Sequence, residues 1–245
     1  MTVLILGGTA EARQLAEVLT AAGYDVLTSL AGRVSAPALP VGRVRIGGFG
    51  GVDGLTEFLS QHPVDAVVDA SHPFAARISA NAEQAAARSG RPLLRLERPG
   101  WADHPRADTW TWVADADAAR LAADAADRPF LTTGRQSLEV FQPWADRSVL
   151  VRVVDPPDFS VPVAWTVIRS RGPYVYAAER QLMLDFAVDK LITKDSGGAH
   201  TAAKLDAATD LGIAVVIIAR PPGGNAPTVT AAADVLPWLT ASYRR

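Results

Sequence analysis

The chain has 245 residues, 49% hydrophobic and 20% charged, with 24 basic against 26 acidic side chains and a formal net charge of −2. That length allows two small domains or one large one with real cores, and the charge balance points away from nucleic acid and acidic membrane surfaces. The lack of cysteine excludes disulfides, thiol catalysis and cysteine-ligated metal centres.

Val3-Leu-Ile-Leu6 reads as a buried parallel strand. Gly7, Gly8 and Thr9 follow, then a helical pattern from about residue 10 to 22 that begins with Ala10 and Glu11. A strand, a glycine turn and a helix start make an anion site, because the first N–H groups of a helix lack partners and carry partial positive charge. Measured against G-x-G-x-x-G/A, only Gly7 and Ala12 fit, with Thr9 in the middle glycine position. The turn therefore reads either as a pyrophosphate corner or as a plain strand-to-helix turn.

A second strand spans residues 24–29 and ends at Thr28 and Ser29, with Arg33 just beyond. A dinucleotide site that prefers the unphosphorylated ribose usually carries Asp or Glu there. Two hydroxyls and a guanidinium suit a 2′-phosphate instead, and so NADPH, unless Arg33 is a solvated loop charge. Arg43-Val-Arg-Ile46 is a short third strand. It runs into a glycine cluster containing Gly48, where backbone can approach a ligand or simply turn. After a helix over about 53–61, a fourth strand over 64–69 leads into Ser71, His72 and Pro73. Strand C-terminal ends line the ligand crevice of such sheets. His72 there can donate a hydrogen bond or a proton, or cap the helix that runs to residue 89. A fifth strand covers 92–96.

Residues 101–112 hold three tryptophans, a proline and two aspartates, which marks a junction. Domains are expected at 1–104 and 105–245. A helix over 115–127 leads to a second strand-glycine-turn-helix start at 129–137, containing Arg135. Strands are expected over 148–154 and 165–168 and a helix over 174–188. Then Thr193-Lys-Asp-Ser-Gly-Gly198 ends a strand and opens a helix from about residue 200. Lys194, Ser196, Gly197 and Gly198, with Lys204 nearby, read as a second anion cradle or as a capped helix start with exposed lysines. A last strand covers 213–219 and a last helix about 231–239. The fold class is α/β: two lobes with mostly parallel sheets flanked by helices and a cleft between them as the natural site. The four histidines are scattered, so no metal site is expected.

The ordered set Ile5-Leu-Gly-Gly-Thr-Ala-Glu-Ala-Arg13, Asp69-Ala-Ser-His-Pro-Phe-Ala75 and Thr193-Lys-Asp-Ser-Gly-Gly198 carries a resemblance. With Lys204, Arg98-Pro99, Trp101 and Ala219-Arg-Pro221 it resembles the precorrin-6A reductases of cobalamin biosynthesis, over nearly the whole chain. The resemblance implies Rossmann-like lobes and NADPH-dependent hydride reduction of the C18=C19 bond of a tetrapyrrole, precorrin-6A, to give precorrin-6B. It implies a cofactor site of Gly7, Gly8, Thr9, Ala10, Glu11, Ser29, Arg33, Gly48, Ser71, His72 and Pro73. Substrate carboxylates would fall to Arg13, Arg135, Lys194, Ser196, Gly197, Gly198 and Lys204. His72 or Asp195 would hold a proton on the macrocycle. A monomer with no nucleic-acid or membrane partner is expected, handing its product to other enzymes of the pathway. No apolar run approaches the roughly 18 residues of a membrane span, and no basic segment precedes the first strand, so cytoplasm is the default. The competing readings are a reductase of another substrate, a non-catalytic NADP sensor, and a methyltransferase of the same pathway.

Overall fold

The computed structural model describes residues 1–32 and 38–243. In chain order its strands and helices are β1 (Thr2–Leu6), α1 (Ala10–Ala21), β2 (Asp25–Leu30), β3 (Arg43–Ile46), α2 (Gly51–Gln61), β4 (Ala66–Asp69), α3 (Ala76–Ser89) and β5 (Leu93–Leu96). There follow β6 (Thr111–Val113), α4 (Ala116–Ala122), β7 (Pro129–Thr132), β8 (Leu150–Val153), β9 (Thr166–Arg169), α5 (Tyr176–Asp185) and β10 (Lys190–Lys194). The chain closes with α6 (Ala203–Asp210), β11 (Ala214–Ile218), β12 (Thr228–Val229) and α7 (Val235–Tyr243).

Two compact units result, one made of Met1–Pro99 with Pro221–Arg245 and the other of Gly100–Arg220. This corrects the expected division in two ways. Residues 100–104 belong with the second unit, and the closing segment 221–245 returns to the first. Physically, β12 pairs in parallel with β5, Thr228 opposite Arg95 and Val229 opposite Leu96. Val235 and Leu239 are buried in the same apolar cluster as Leu15 and Leu19 of α1.

The first sheet runs β3-β2-β1-β4-β5-β12 and the second β9-β8-β7-β10-β11-β6, and every recorded pairing is parallel. Both follow the 3-2-1-4-5-6 order of dinucleotide-binding sheets, whose ligand crevice opens at the carboxyl ends where the strand order reverses. Their sixth strands come from unexpected places. The first sheet takes its sixth strand from beyond the second unit, and the second takes β6, which precedes its first central strand.

In the first unit β1 is buried throughout, with side chains alternating between two cores. Val3 and Ile5 pack with Leu15 and Leu19 of α1 on one face. Leu4 and Leu6 pack with Leu55 and Leu59 of α2 and Ala82 and Ala85 of α3 on the other. In the second unit Phe130, Leu191, Val215 and Ile217 from the strands meet Met183 of α5, Leu205 of α6 and Trp101 and Trp110. The segment after β7 is a 3-10 helix over Arg135–Trp144 containing Pro143, where the sequence predicts an α-helix. It still buries Leu138, Phe141 and Trp144. The helix expected from about residue 200 begins only at Ala203, after a 3-10 turn at Ala199–Thr201.

Candidate active site

The carboxyl ends of β1 and β4 lie side by side, Leu6 opposite Asp69, at the point where the first sheet's order reverses. Gly7 donates its N–H to the Ser29 carbonyl at 2.9 Å, and a Cβ there would stand 2.7 Å from Thr28 Cγ2. Gly8 sits at φ +116°, and a Cβ on it would meet nothing within 4 Å, so open space lies against the turn. Thr9 is the N-cap of α1. Its Oγ1 accepts the Ala12 N–H at 3.0 Å and donates to the Ala70 carbonyl at 2.8 Å, which ties the two corner loops together. Ala10 and Glu11 open the helix. The Glu11 carboxylate accepts from Arg98 Nη1 at 2.6 Å. Arg13 turns back to the Thr9 carbonyl at 3.2 Å. A glycine turn with open space and a capped helix start is what a pyrophosphate requires.

At the ends of β2 and β3 the structure supplies a residue that the sequence reading passed over. Ser29 pairs in register with Arg45, and Arg45 Nη1 lies 2.9 Å from Ser29 Oγ. The same guanidinium donates to the carbonyls of Gly47 and Gly48 at 2.9 and 3.2 Å and stacks 3.9 Å above the Phe49 ring. A cation is thus held at the carboxyl ends of β2 and β3. The available signal was the alternation of Arg43-Val-Arg-Ile46, which puts Arg45 across from Ser29. Arg33 lies outside the described residues.

Beyond β4, Asp69 is buried and its Oδ1 accepts the Ser71 N–H at 3.0 Å. Arg95 bridges Asp69, at 3.8 Å, and Glu97. Ser71 and Pro73 are buried, and His72 is half-buried. The His72 ring accepts the Phe74 N–H on Nδ1 at 3.2 Å, which assigns the neutral ring's proton to Nε2. The capping alternative for His72 fails: the N-cap of α3 is Ala75, with no side-chain cap.

The second unit has its own corner between β7 and β10, with Thr132 opposite Thr193. Gly134 follows β7 at φ +77°, and Arg135 Nη1 lies 3.1 Å from Asp158. After β10 come Lys194, Asp195, Ser196, Gly197 and Gly198, the two glycines at φ +64° and +72°. Lys194 is half-buried, and desolvation lowers its pKa. Asp195 is buried, and its carboxylate is engaged. Oδ1 accepts the Trp101 N–H at 2.9 Å, Oδ2 lies 3.3 Å from Arg220 Nε, and Oδ2 would stand 2.5 Å from a Cβ on Gly100. That packing makes Asp195 a clamp on the Trp101 segment rather than an open acid. Lys204 departs further from expectation. It is 3% exposed and donates to the Thr201 carbonyl at 2.7 Å, so it is no surface ligand.

The described residues thus gather Gly7–Ala10, Ser29, Gly48 and 71–73 at the carboxyl edge of the first sheet. They gather Arg135, Lys194, Ser196, Gly197 and Gly198 at that of the second. Among the described residues no group of three or more His, Asp or Glu could hold a metal, and no helix is long and apolar enough to cross a membrane.

The family model described as "Precorrin-6x reductase CbiJ/CobK" matches residues 2–240. The chain belongs to the precorrin-6A reductase family. It is 50% identical over 246 residues to a "Precorrin-6A reductase" of Rhodococcus erythropolis, covering 99% of each chain. It is 49% identical to a "Precorrin-6A reductase" of Mycobacterium tuberculosis, covering 89% of this chain and 88% of that one. A solved structure titled "CobK precorrin-6A reductase" superposes with a TM-score of 0.91 at 38% identity, covering 98% of this chain and 96% of that one. The chain is accordingly an oxidoreductase of cobalamin biosynthesis with two Rossmann-like sheets. A redox sensor and a methyltransferase are set aside as readings.

Proposed function

We propose that this precorrin-6A reductase draws its hydride from NADPH, binds a cobalt-free macrocycle, and reduces the C18=C19 bond with His72 as the residue that holds the proton. The observation that carries the cofactor choice is the Ser29–Arg45 pair at the ends of β2 and β3, with no carboxylate beside it in the register of the two strands. A guanidinium there recognises a 2′-phosphate, where Asp or Glu would select the bare ribose. When bound, the dinucleotide supplies the hydride.

The chain's residues do the rest. Gly8, Ala10 and Glu11 offer backbone to the pyrophosphate. Gly48 would border the adenosine, and Ser71, His72 and Pro73 would border the nicotinamide. His72 Nε2–H donates to the macrocycle and keeps its π-system electron-poor. Arg135, Lys194, Ser196 and the backbone of Gly197 and Gly198 take the peripheral carboxylates. Asp195 positions this loop by holding Trp101. The cobalt-free substrate is supported by the names of the two relatives at about half identity, both called precorrin-6A reductase.

The test is stopped-flow NADPH oxidation with precorrin-6A. His72→Ala is expected to slow single-turnover hydride transfer about 100-fold, the usual contribution of one positioned proton donor. Asp195→Asn should raise the substrate KM more than it lowers the rate. An unchanged hydride rate in His72→Ala would remove His72 from the chemistry. Equal KM values for NADPH and NADH would remove the 2′-phosphate contact.

A further inference from the structure

Three charged side chains are buried together in the second unit. Arg152 of β8 and Glu179 of α5 form a two-pronged ion pair at 2.7 and 2.8 Å, so that carboxylate is already matched. Lys204 of α6 is equally sealed, and no carboxylate lies within ion-pair distance of it among the described residues. Its contacts lead elsewhere. Nζ donates to the Thr201 carbonyl and lies 4.9 Å from the centre of the Trp101 ring. Thr201 Oγ1 donates to the Gly197 carbonyl at 3.3 Å, and the Trp101 N–H donates to Asp195 Oδ1. Lys204 therefore reaches the loop at residues 194–198 twice, once through Thr201 to its glycine turn and once through Trp101 to Asp195.

We propose that Lys204 is a positioning residue that sets the loop at residues 194–198 from within the fold, through Thr201 and Trp101, and so governs capture of substrate carboxylates without touching them. This rests on the reading of that loop as the carboxylate site. A buried ammonium without a counter-charge is costly. Burial, helped by Arg152 and opposed by Glu179, pulls its pKa down to about 7. Of the groups nearest to it, Asp195 is paired with Arg220, and Asp206 of its own helix lies 3.5 Å from His104 on the Trp101 segment. Carboxylates arriving on the loop favour the ammonium form, so binding takes up a proton near neutral pH. The ammonium in turn strengthens the Thr201 bond and the Trp101 contact.

The test uses the full-length enzyme and precorrin-6A, comparing wild type, Lys204→Met, Thr201→Val and Lys194→Ala. Lys204→Met should raise the substrate KM about tenfold, the worth of one charge-assisted hydrogen bond. The KM for NADPH and kcat should stay put, and the decline of kcat/KM as pH rises through about 7 should disappear. Thr201→Val should raise the same KM to a lesser degree. A folded Lys204→Met enzyme with wild-type KM and pH profile overturns the proposal. If that variant does not fold, calorimetry of wild type in two buffers of unequal ionisation enthalpy decides. Proton uptake on substrate binding at pH 7.5 supports the proposal, and none overturns it. Lys194→Ala separates the layers. If its substrate KM is unchanged, the loop is not the carboxylate site; if its KM rises while Lys204→Met is normal, only the positioning role falls.

Discussion

In the first sheet the turn after β1 is built from Gly7, Gly8 and Thr9, and a twelve-residue helix starts directly from it. In the second sheet the turn after β7 has a single glycine, then Arg135, and a 3-10 segment in place of an α-helix. The strand order is the same, so the sheets themselves do not separate the two corners. The side chains do. The first corner is left bare at Gly8, which suits a ligand that brings its own phosphates. The second is furnished with Arg135 and Lys194, which suits a ligand with scattered carboxylates. On the proposed reading, one architecture serves two kinds of anion, through backbone in one unit and through side chains in the other.

The contrast breaks most visibly at the buried pair of the second unit. Glu179→Gln leaves Arg152 sealed without its carboxylate and should cost about 3–5 kcal/mol, whereas Arg152→Met with Glu179→Leu should recover most of the loss. Five of the six tryptophans lie within residues 100–220, so urea denaturation followed by tryptophan fluorescence reads this unit almost alone. A smaller effect is expected at the bare corner. Gly8→Val forces a β-branched residue to φ +116° and fills the space against the turn. NADPH affinity should fall about 100-fold by fluorescence titration, from strain and lost access together. The matching Gly134→Val should leave NADPH affinity intact and raise the KM for precorrin-6A. Equal effects of the two glycine variants on NADPH would erase the division of labour. Next, Arg45→Ala should weaken NADPH about tenfold while leaving NADH within a factor of about two, as expected for one guanidinium–phosphate contact.

Most of this architecture is legible in the chain because its central strands are short apolar runs bounded by glycine, proline or polar turns. Val3–Leu6, buried throughout, is unmistakable on that basis, and the corner residues Gly7–Ala10 and 71–73 follow from the strand ends. What escaped is what lacks periodicity or depends on partners distant in sequence. β6 and β12 have three and two residues, too short for any alternation, yet they complete the two sheets and decide where the units divide. Arg45 could be placed only by strand register, because its meaning lies in Ser29 across the ladder. Lys204 reads as a helix-start cation, since nothing local tells a solvated lysine from one buried over the Trp101 ring.

That lysine also provides the finest test of how the two units differ. Its pKa falls from 10.5 in the exposed chain to about 7 in the fold. Between those values the unfolded chain holds a proton that the native protein has released, so native stability rises with pH across that window; below about 7 both states hold the proton and the burial cost is felt in full. Between pH 7 and 8 the wild type should therefore gain about 1 kcal/mol relative to Lys204→Met, the yield of one group titrating over one unit. Urea midpoints read by tryptophan emission at the two pH values measure it. The first unit offers an internal control in Arg45, a guanidinium whose pKa burial lowers but whose ordinary value lies far above that range. Replacing Arg45 should leave the pH slope of stability untouched. A slope that persists in Lys204→Met would mean that another group in the second unit releases the proton, and that the buried ammonium is not what distinguishes the two corners.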